Sequence, residues 1–218
     1  MPPQILLIDK PKGLTSFDVV AQVRKRLGVK KVGHAGTLDP LATGLLILGI
    51  GEGTKKLTDF LKLPKTYKVD ILIGEKRTTG DMEGEITEEK EVGEDINEGA
   101  VRKALGTLVG SHDLPIPLYS AIKREGEPLY KKARRGESIE EPVRAMVVTG
   151  ARFLNLTREG KKAVVSAECD VESGVYIRSV AEELGRRLSY PATLKDLRRT
   201  RIGDFRIEDA QELKRLTF

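Results

Sequence analysis

The sequence predicts an α+β fold, in which a central and mainly antiparallel sheet is flanked by helices and loops. Short apolar runs typical of strands are interspersed with stretches whose apolar residues recur at helical spacing. Residues 143–156 and 162–171 alternate between apolar and polar positions and are joined by a short polar turn, which predicts a hairpin. The 218 residues suffice for one large core, so we expect a single domain over 1–218.

The chain is predicted to begin with a strand and a helix. The apolar run at 4–8 is typical of a buried strand. Thr15 and Asp18 form a capping pair, and the apolar residues after them repeat at helical spacing, so a helix is expected to begin near Ser16. Gly28 ends this pattern and with it the helix.

A glycine-rich segment at 28–44 predicts a structured loop, and elements of both kinds follow it without an internal repeat. Further strands are predicted at 45–50, 67–73, 118–123 and 193–202. Further helices are predicted at 54–63, 96–109, 128–135, 177–188 and 208–216.

Charge is distributed unevenly along the chain. The 38 basic and 33 acidic residues give a net charge of +5, but residues 75–98 alone hold ten acids and three bases. The rest of the chain therefore has 35 bases and 23 acids, a net charge of +12. We expect an acidic exposed insert at about 75–98 on a basic body, which favours a polyanionic partner such as nucleic acid.

The scarcity of cysteine and histidine argues against several classes of protein. The single cysteine, Cys169, excludes an internal disulfide, and two separate histidines, His34 and His112, do not form a metal-ligand cluster. The sequence has neither a secretory signal nor a run of about 20 apolar residues. We therefore predict a cytoplasmic protein with no metal, no cofactor and no membrane partner.

The segment Gly33–Gly44, Gly-His-Ala-Gly-Thr-Leu-Asp-Pro-Leu-Ala-Thr-Gly, holds the strongest candidate site. Its glycines allow the backbone to approach a bulky ligand, and Pro40 makes the bend at Asp39 rigid. From residue type alone, Asp39 more often only starts a turn before proline.

This segment resembles the Gly-x-Leu-Asp-x-x-x-x-Gly motif of pseudouridine synthases, in the form that the TruB family carries. Other segments follow in the order of that family: Lys10-Pro11-Lys12-Gly13, Tyr67 in Thr-Tyr-Lys-Val, Asp81-x-x-Gly84, Tyr119-Ser120-Ala121-Ile122-Lys123, Gly174-x-Tyr176-Ile177-Arg178-Ser179 and Leu197-Arg198-Arg199-Thr200. The resemblance thus covers almost the whole chain. It implies the pseudouridine synthase fold.

Two features depart from the family pattern. Ile116-Pro117 stands where a Pro-Pro pair is usual, which should only reshape a turn. The chain ends soon after Thr200, whereas family members continue into a small C-terminal RNA-binding domain. We therefore expect no separate domain of that kind, either because this is a compact member or because the chain is trimmed.

The resemblance implies an enzyme that converts uridine to pseudouridine at position 55, in the T loop of tRNA, after flipping the base out of its stack. In this family the aspartate is the nucleophile, which assigns that role to Asp39. Attack at C1′, release to a glycal and addition at C6 of the ring all remain open. A monomer acting on the T stem-loop, without a cofactor, is expected.

The same resemblance assigns roles to other residues. Arg178 would pair with Asp39, and Tyr67 would stack on the target base. His34 would fill the space that the flipped nucleotide leaves. Each of the three has an ordinary structural explanation when it is considered by residue type alone.

Weaker assignments concern the surroundings of the base and the RNA backbone. Leu197 would form an apolar wall beside the uracil, although core packing explains it nearly as well, and Lys10 would support the catalytic loop. The remaining residues expected to contact RNA are Tyr119, Lys123, Arg134, Arg198 and Arg199.

Three alternatives stay open. The first is a synthase acting on another RNA, such as the catalytic subunits that work with guide RNAs. The second is a tRNA-binding folding factor whose modification activity is secondary. The third, an enzyme acting on free nucleosides, fits poorly with the basic body outside residues 75–98.

Overall fold

The computed structural model describes residues 4–120, 122–124, 126–135, 137 and 139–216, and the side chains of Lys123, Arg124 and Arg134 lie outside the described part. The chain divides into two compact units. The first comprises Met1–Lys68, Cys169–Ser173 and Asp196–Phe218. The second comprises Val69–Glu168 and Gly174–Lys195.

In chain order, the elements are β1 (Ile5–Lys10), α1 (Ser16–Leu27), β2 (Val32–Ala35), β3 (Thr43–Ile50), a 3-10 helix (Gly51–Lys56), α2 (Leu57–Lys62), β4 (Lys65–Ile73), β5 (Glu75–Arg77), β6 (Ile86–Glu89), α3 (Glu98–Leu108), β7 (Gly110–Pro115), β8 (Lys123–Arg124), β9 (Glu127–Pro128), α4 (Leu129–Arg134), β10 (Val143–Glu159), β11 (Lys162–Val171), α5 (Ile177–Leu188), β12 (Ala192–Ile202), β13 (Phe205–Arg206), a 3-10 turn (Ile207–Asp209), β14 (Gln211–Glu212) and a 3-10 turn (Leu213–Arg215).

Strand β3 is the centre of the first unit. It pairs with β1 and β2 in antiparallel orientation and with β12 in parallel orientation. Its side chains alternate between two faces, as the period of a strand requires. Leu46 and Leu48 belong to a core cluster with Val19 and Val23 of α1, whereas Leu45 and its neighbours pack with residues of α2 on the other face.

Helix α1 has the ends that the sequence predicts. The Thr15 hydroxyl accepts a hydrogen bond from the backbone N–H of Asp18 at 3.0 Å, and the Asp18 carboxylate accepts one from the N–H of Thr15 at 2.8 Å. These bonds satisfy two donors that the first turn of a helix leaves unpaired. Gly28 ends the helix in the left-handed conformation. The predicted helix start and stop are confirmed.

The second unit contains three neighbouring strands and two longer helices that pack beside them. Strands β11, β10 and β7 are neighbours in that order, and β10 pairs with β7 in antiparallel orientation, with Val143 opposite Pro115 and Val148 opposite Gly110. Helix α3 packs against β10 and α5. Two-stranded sheets form between β5 and β6 and between β8 and β9.

The α+β class and the mainly antiparallel pairing are confirmed. The expected loop at 28–44 contains a short strand, β2, whose four residues all pair with β3. The strand expected at 118–123 is wrong at 118–120 and 122, whereas Lys123 belongs to β8 and residue 121 lies outside the described residues. Strand β7 lies just before this segment. It is held by backbone pairing with β10, and its polar residues give no apolar pattern that would have predicted a strand.

The helix expected at 208–216 is also wrong, since β14 and two 3-10 turns occupy this segment. Its apolar residues Leu213 and Leu216 both enter the core cluster beside α1. A spacing of three residues matches the 3-10 helix as well as the α-helix, so periodicity could not distinguish the two.

The acidic stretch is exposed over most of its length but contains two buried carboxylates. Glu75 is ion-paired with Arg77 and Lys162, and Asp81 lies 3.8 Å from the Arg178 guanidinium. Within the described ranges, no helix is long and apolar enough to cross a membrane, and no group of three or more His, Cys, Asp and Glu residues could hold a metal ion.

Candidate active site

Asp39 lies half-buried in an irregular segment between β2 and β3, residues 36–42, which we call the Asp39 loop. The Ser16 hydroxyl accepts a hydrogen bond from the Leu38 N–H at 2.9 Å and donates one to the Leu38 carbonyl at 3.3 Å. The Gly13 N–H donates to the Pro40 carbonyl at 2.8 Å. The backbone on both sides of Asp39 is therefore fixed to the first turn of α1 and the loop before it.

Arg199 holds the two ends of the Asp39 loop from inside the first unit. Its guanidinium donates to the Gly36 carbonyl at 3.1 Å and to the Leu45 carbonyl at 2.8 Å. The backbone of Arg199 runs so close to Gly44 that a Cβ there would lie 2.2 Å from the Arg199 carbonyl oxygen. Gly44 also has a φ of +102°, so both its conformation and its surroundings require glycine.

The expectation that Arg199 contacts phosphate needs correction. The residue is only 1% exposed, and its guanidinium is already bonded to backbone carbonyls. It acts instead as a buried positive charge that braces the loop. Arg198 differs, since it is partly exposed and forms a two-bond ion pair with Asp9, at 3.0 and 2.7 Å.

Lys10 is fully buried, so it does not lie on the surface where RNA would bind. Its ammonium donates to the Pro11 carbonyl at 3.1 Å and to the Leu14 carbonyl at 2.6 Å. These bonds shape the turn whose Gly13 holds Pro40. Its position agrees with support of the Asp39 loop rather than with direct contact with a substrate.

His34 projects from β2, and the Phe17 ring meets its imidazole in an edge-to-face contact, with ring centroids 5.6 Å apart. Its Nδ1 is buried and has no hydrogen-bond partner among the described residues. Burial lowers the pKa of His34 below its ordinary value of 6.5, and the Arg199 charge lowers it further. At neutral pH the imidazole is therefore uncharged.

Tyr67 on β4 and Leu197 on β12 are both buried, and both residues belong to the first unit. The Thr200 hydroxyl of β12 donates to the Thr66 carbonyl of β4 at 3.3 Å, which joins the two strands beside these residues. Thr43, at the end of the Asp39 loop, donates to the Leu197 carbonyl at 3.4 Å. Leu197 is thereby tied to the segment that follows Asp39.

Arg178 belongs to the second unit and is 5% exposed. Its guanidinium donates to the carbonyls of Thr79 and Tyr119, both at 2.9 Å, and lies 3.8 Å from Asp81. Asp81 in turn accepts hydrogen bonds from the Thr79 hydroxyl at 2.6 Å and from the Glu83 N–H at 3.1 Å. The guanidinium is thus held in one orientation by a buried polar network.

The predicted residues fall into two sets. The first unit contains Asp39, Tyr67, His34, Leu197, Lys10, Arg198 and Arg199, and the second contains Arg178, Tyr119, Lys123 and Arg134. A pairing of Asp39 with Arg178 stays a prediction. The Tyr119 side chain is half-buried, whereas the side chains predicted to bind RNA at Lys123 and Arg134, in β8 and α4, lie outside the described residues.

Sequence reasoning missed Ser16 and Phe17. Ser16 follows the capping Thr15 and is 1% exposed, although the first turn of a surface helix is normally solvated. A buried serine there is a signal for a hydrogen bond outside the helix, but the sequence does not reveal burial at one position. Phe17 is conspicuous as the one aromatic residue of α1, at an exposed position of the helix.

The arrangement holds one carboxylate on a braced loop, in the same unit as a buried aromatic side chain, Tyr67, and a buried aliphatic one, Leu197. A half-buried carboxylate on a rigid loop suits nucleophilic attack on a bound ligand, because its orientation costs no ordering at the moment of reaction. Lys65, on the same strand as Tyr67, is buried, and burial lowers its pKa to about 8, with the Arg199 charge adding to the effect.

Comparisons with known proteins agree with the motifs. Residues 24–177 match the N-terminal domain model of the TruB family of pseudouridylate synthases. The chain is 42% identical to tRNA pseudouridine synthase B of Leifsonia xyli over 97% of its length and 71% of that protein, and 41% identical to the Thermobifida fusca protein of the same name, over 97% and 73%.

Solved structures show the same fold. An H/ACA RNP bound to a substrate RNA containing 2′-deoxyuridine matches with a TM-score of 0.70 and 25% identity, and a Cbf5-Nop10-Gar1 complex matches with a TM-score of 0.71 and 27% identity. Each match covers 96% of this chain but only about half of the solved chain, 51% and 52%. The motifs, the fold and the relatives agree, and the chain belongs to the TruB family of pseudouridylate synthases.

Proposed function

We propose that this protein converts uridine to pseudouridine at position 55, in the T loop of tRNA, with Asp39 as the nucleophile. One observation carries the proposal. Ser16 and Arg199 brace the Asp39 loop of the family motif, in a chain that is about 40% identical to proteins named tRNA pseudouridine synthase B.

The reaction is an isomerisation, so it needs neither an oxidant nor a reductant. In the simplest route, the Asp39 carboxylate attacks C1′ and the uracil leaves with the electron pair of the C1′–N1 bond. The uracil then turns, C5 attacks C1′ and the carboxylate is expelled unchanged. Finally C5 loses its proton and N1 gains one. Release to a glycal and addition of Asp39 to C6 are further routes, and all end with loss of the C5 proton.

The proposed binding surface for the flipped base consists of Tyr67 and Leu197. A tyrosine ring and a leucine side chain on adjoining strands offer one stacking face and one apolar wall to a planar uracil. The Tyr67 hydroxyl is the proposed group for moving the C5 proton. His34, uncharged because of its lowered pKa, is proposed to fill the space that the base leaves.

Arg178 is proposed to pair with Asp39 and to keep its carboxylate ionised. The planar guanidinium suits this task because it can bind a carboxylate through two hydrogen bonds. Thr79, Tyr119 and Asp81 already fix the orientation of the guanidinium, which reduces the entropy that the pairing costs.

RNA is the proposed partner because the chain outside residues 75–98 has a net charge of +12. Arg198, Tyr119, Lys123 and Arg134 are proposed to contact the T stem-loop. We further propose that the protein acts in the cytoplasm, as a monomer and without a cofactor.

A second substrate class is supported by one observation, the likeness to a chain of a solved H/ACA RNP bound to a substrate RNA. An enzyme of that kind would act on a different uridine and would depend on other components. The higher identity to the tRNA pseudouridine synthase B relatives favours tRNA, and a folding factor with secondary activity is the weaker alternative.

The test is to incubate the protein with an unmodified tRNA transcript and to map pseudouridine by carbodiimide-dependent stops of reverse transcription. A stop at position 55 is expected, and a matched transcript with cytidine at position 55 should show none. Modification at another position only, or only when guide RNA and further proteins are added, would contradict the proposed substrate.

A further inference from the structure

Phe17 is the most exposed large hydrophobic side chain among the described residues, at 71%. Burial of a phenylalanine side chain stabilises a fold, and a ring left exposed to solvent does not contribute in this way. The chain has only five phenylalanines and no tryptophan, which makes such an exposed ring unusual within it. The exposed Phe17 ring is therefore available to stack on a ligand.

The position lies beside the Asp39 loop. Phe17 directly follows Ser16, whose hydroxyl holds the Leu38 peptide before Asp39. Its ring meets the His34 imidazole at an interplanar angle of 87°. An edge-to-face contact, together with the high exposure, leaves a face of the Phe17 ring open to solvent.

The same face of α1 carries a positive charge further along. Ala21 and Lys25 follow Phe17 at intervals of four residues and are both exposed. Lys25 lies two turns from Phe17, about 12 Å along the helix axis. An open aromatic ring followed by a cation, with a small residue between them, suits one strand of nucleic acid whose base stacks and whose phosphate is neutralised.

We propose that Phe17 is a stacking platform for an unpaired base of the substrate RNA next to the flipped uridine, with Lys25 contacting a phosphate of the same strand. The inference rests on the proposed function, since it requires RNA as the substrate. Phe17 has two contacts in this arrangement, the base on its open face and the edge-to-face contact with His34. It therefore fixes the RNA where the flipped nucleotide leaves the loop.

The test compares Phe17→Ala, Phe17→Leu and Phe17→Trp in binding to an unmodified T stem-loop RNA that carries 2-aminopurine at single loop positions. Phe17→Ala should weaken binding roughly 5- to 150-fold, the range found when a stacking aromatic is removed. Phe17→Leu should weaken it nearly as much, whereas Phe17→Trp should stay close to the wild type. Stacking should quench 2-aminopurine at one position, and this quenching should disappear in Phe17→Ala.

Salt dependence separates the two residues. The Phe17 variants should keep the wild-type slope of binding against salt, and Lys25→Gln should reduce it by about 0.7 for one lost phosphate contact of a single strand. Val109→Ala, a change at an exposed apolar residue of the second unit, is the control and should bind normally. Thermal unfolding of each variant checks that the fold is intact.

A twofold or smaller effect of Phe17→Ala, or wild-type binding by Phe17→Leu, would overturn the stacking role. Isomerisation by the wild type is measured on the same RNA. If the wild type modifies position 55 and Phe17→Ala binds normally, only this inference fails. If the wild type neither binds nor modifies any RNA, the proposed function fails and the inference falls with it.

Discussion

Replacing Ser16 by alanine removes the hydroxyl that binds both polar groups of Leu38, immediately before Asp39. The hydroxyl accepts the Leu38 N–H at 2.9 Å and donates to the Leu38 carbonyl at 3.3 Å. Ser16 is 1% exposed, so water cannot take the place of the hydroxyl without a rearrangement. Ser16→Ala therefore leaves a buried N–H and a buried carbonyl without their partner.

The expected loss of stability follows from these two bonds. A buried polar group left unsatisfied costs roughly 1–3 kcal/mol, and the 3.3 Å bond is the weaker of the two. We expect the free energy of unfolding to fall by about 2 kcal/mol. Activity should fall further, roughly 10- to 100-fold in kcat, because a nucleophile displaced by about 1 Å loses most of its advantage.

The assay is urea unfolding combined with single-turnover isomerisation of a tRNA transcript. Thr15→Ala is the matched control, because it removes the cap of the same helix at a cost of about 1 kcal/mol without removing a contact with Leu38. Ser16→Ala should lose activity while Thr15→Ala keeps it. Equal activities of the two variants would refute the role assigned to Ser16.

Two further predictions concern titration. Lys65 has a pKa of about 8 in the folded protein, against an ordinary value of 10.5. Between these two pH values the unfolded chain keeps a proton that the folded protein has released, so the free energy of unfolding should rise with pH. Urea unfolding should show this rise lost in Lys65→Met and kept in Lys62→Met; a rise unchanged in Lys65→Met would contradict it. The lowered pKa of His34 predicts an NMR titration midpoint below pH 6.5, with the signal assigned through His34→Gln, and a free energy of unfolding that declines as the pH falls below 6.5. A midpoint at or above 6.5 would exclude the effect of burial on this pKa.

Elements were predicted correctly where residues close together in the chain mark their ends. The Thr15–Asp18 capping pair and Gly28 gave both ends of α1, because capping depends on neighbours within four residues. The hairpin of β10 and β11 was predicted from the alternation within each strand and the short polar turn between them, which are local signals too. β2 and β7 were missed because their pairing depends on strands elsewhere in the chain rather than on their own composition.

The candidate site, too, was predicted where its residues are close together in the chain and missed where they are far apart. The motif identified Asp39, since its residues are consecutive, but the brace formed by Arg199 joins residues more than 150 positions apart. An arginine beside Arg198 in a basic strand is predicted to be exposed, and only the path of β12 next to Gly44 reveals that it is buried. Which side chains face inward depends on strand register, which sequence patterns define poorly in short polar segments.

The central claim, that Asp39 is the nucleophile of a uridine isomerisation, is tested most directly with Asp39→Asn, which keeps the size of the side chain and removes its charge. Release of tritium from tRNA labelled at C5 of uridine measures the reaction, and binding is measured on the same RNA. The proposal predicts that Asp39→Asn binds the RNA but releases no tritium under single-turnover conditions, while the wild type releases one equivalent per site. Tritium release by Asp39→Asn at a rate near that of the wild type would contradict it.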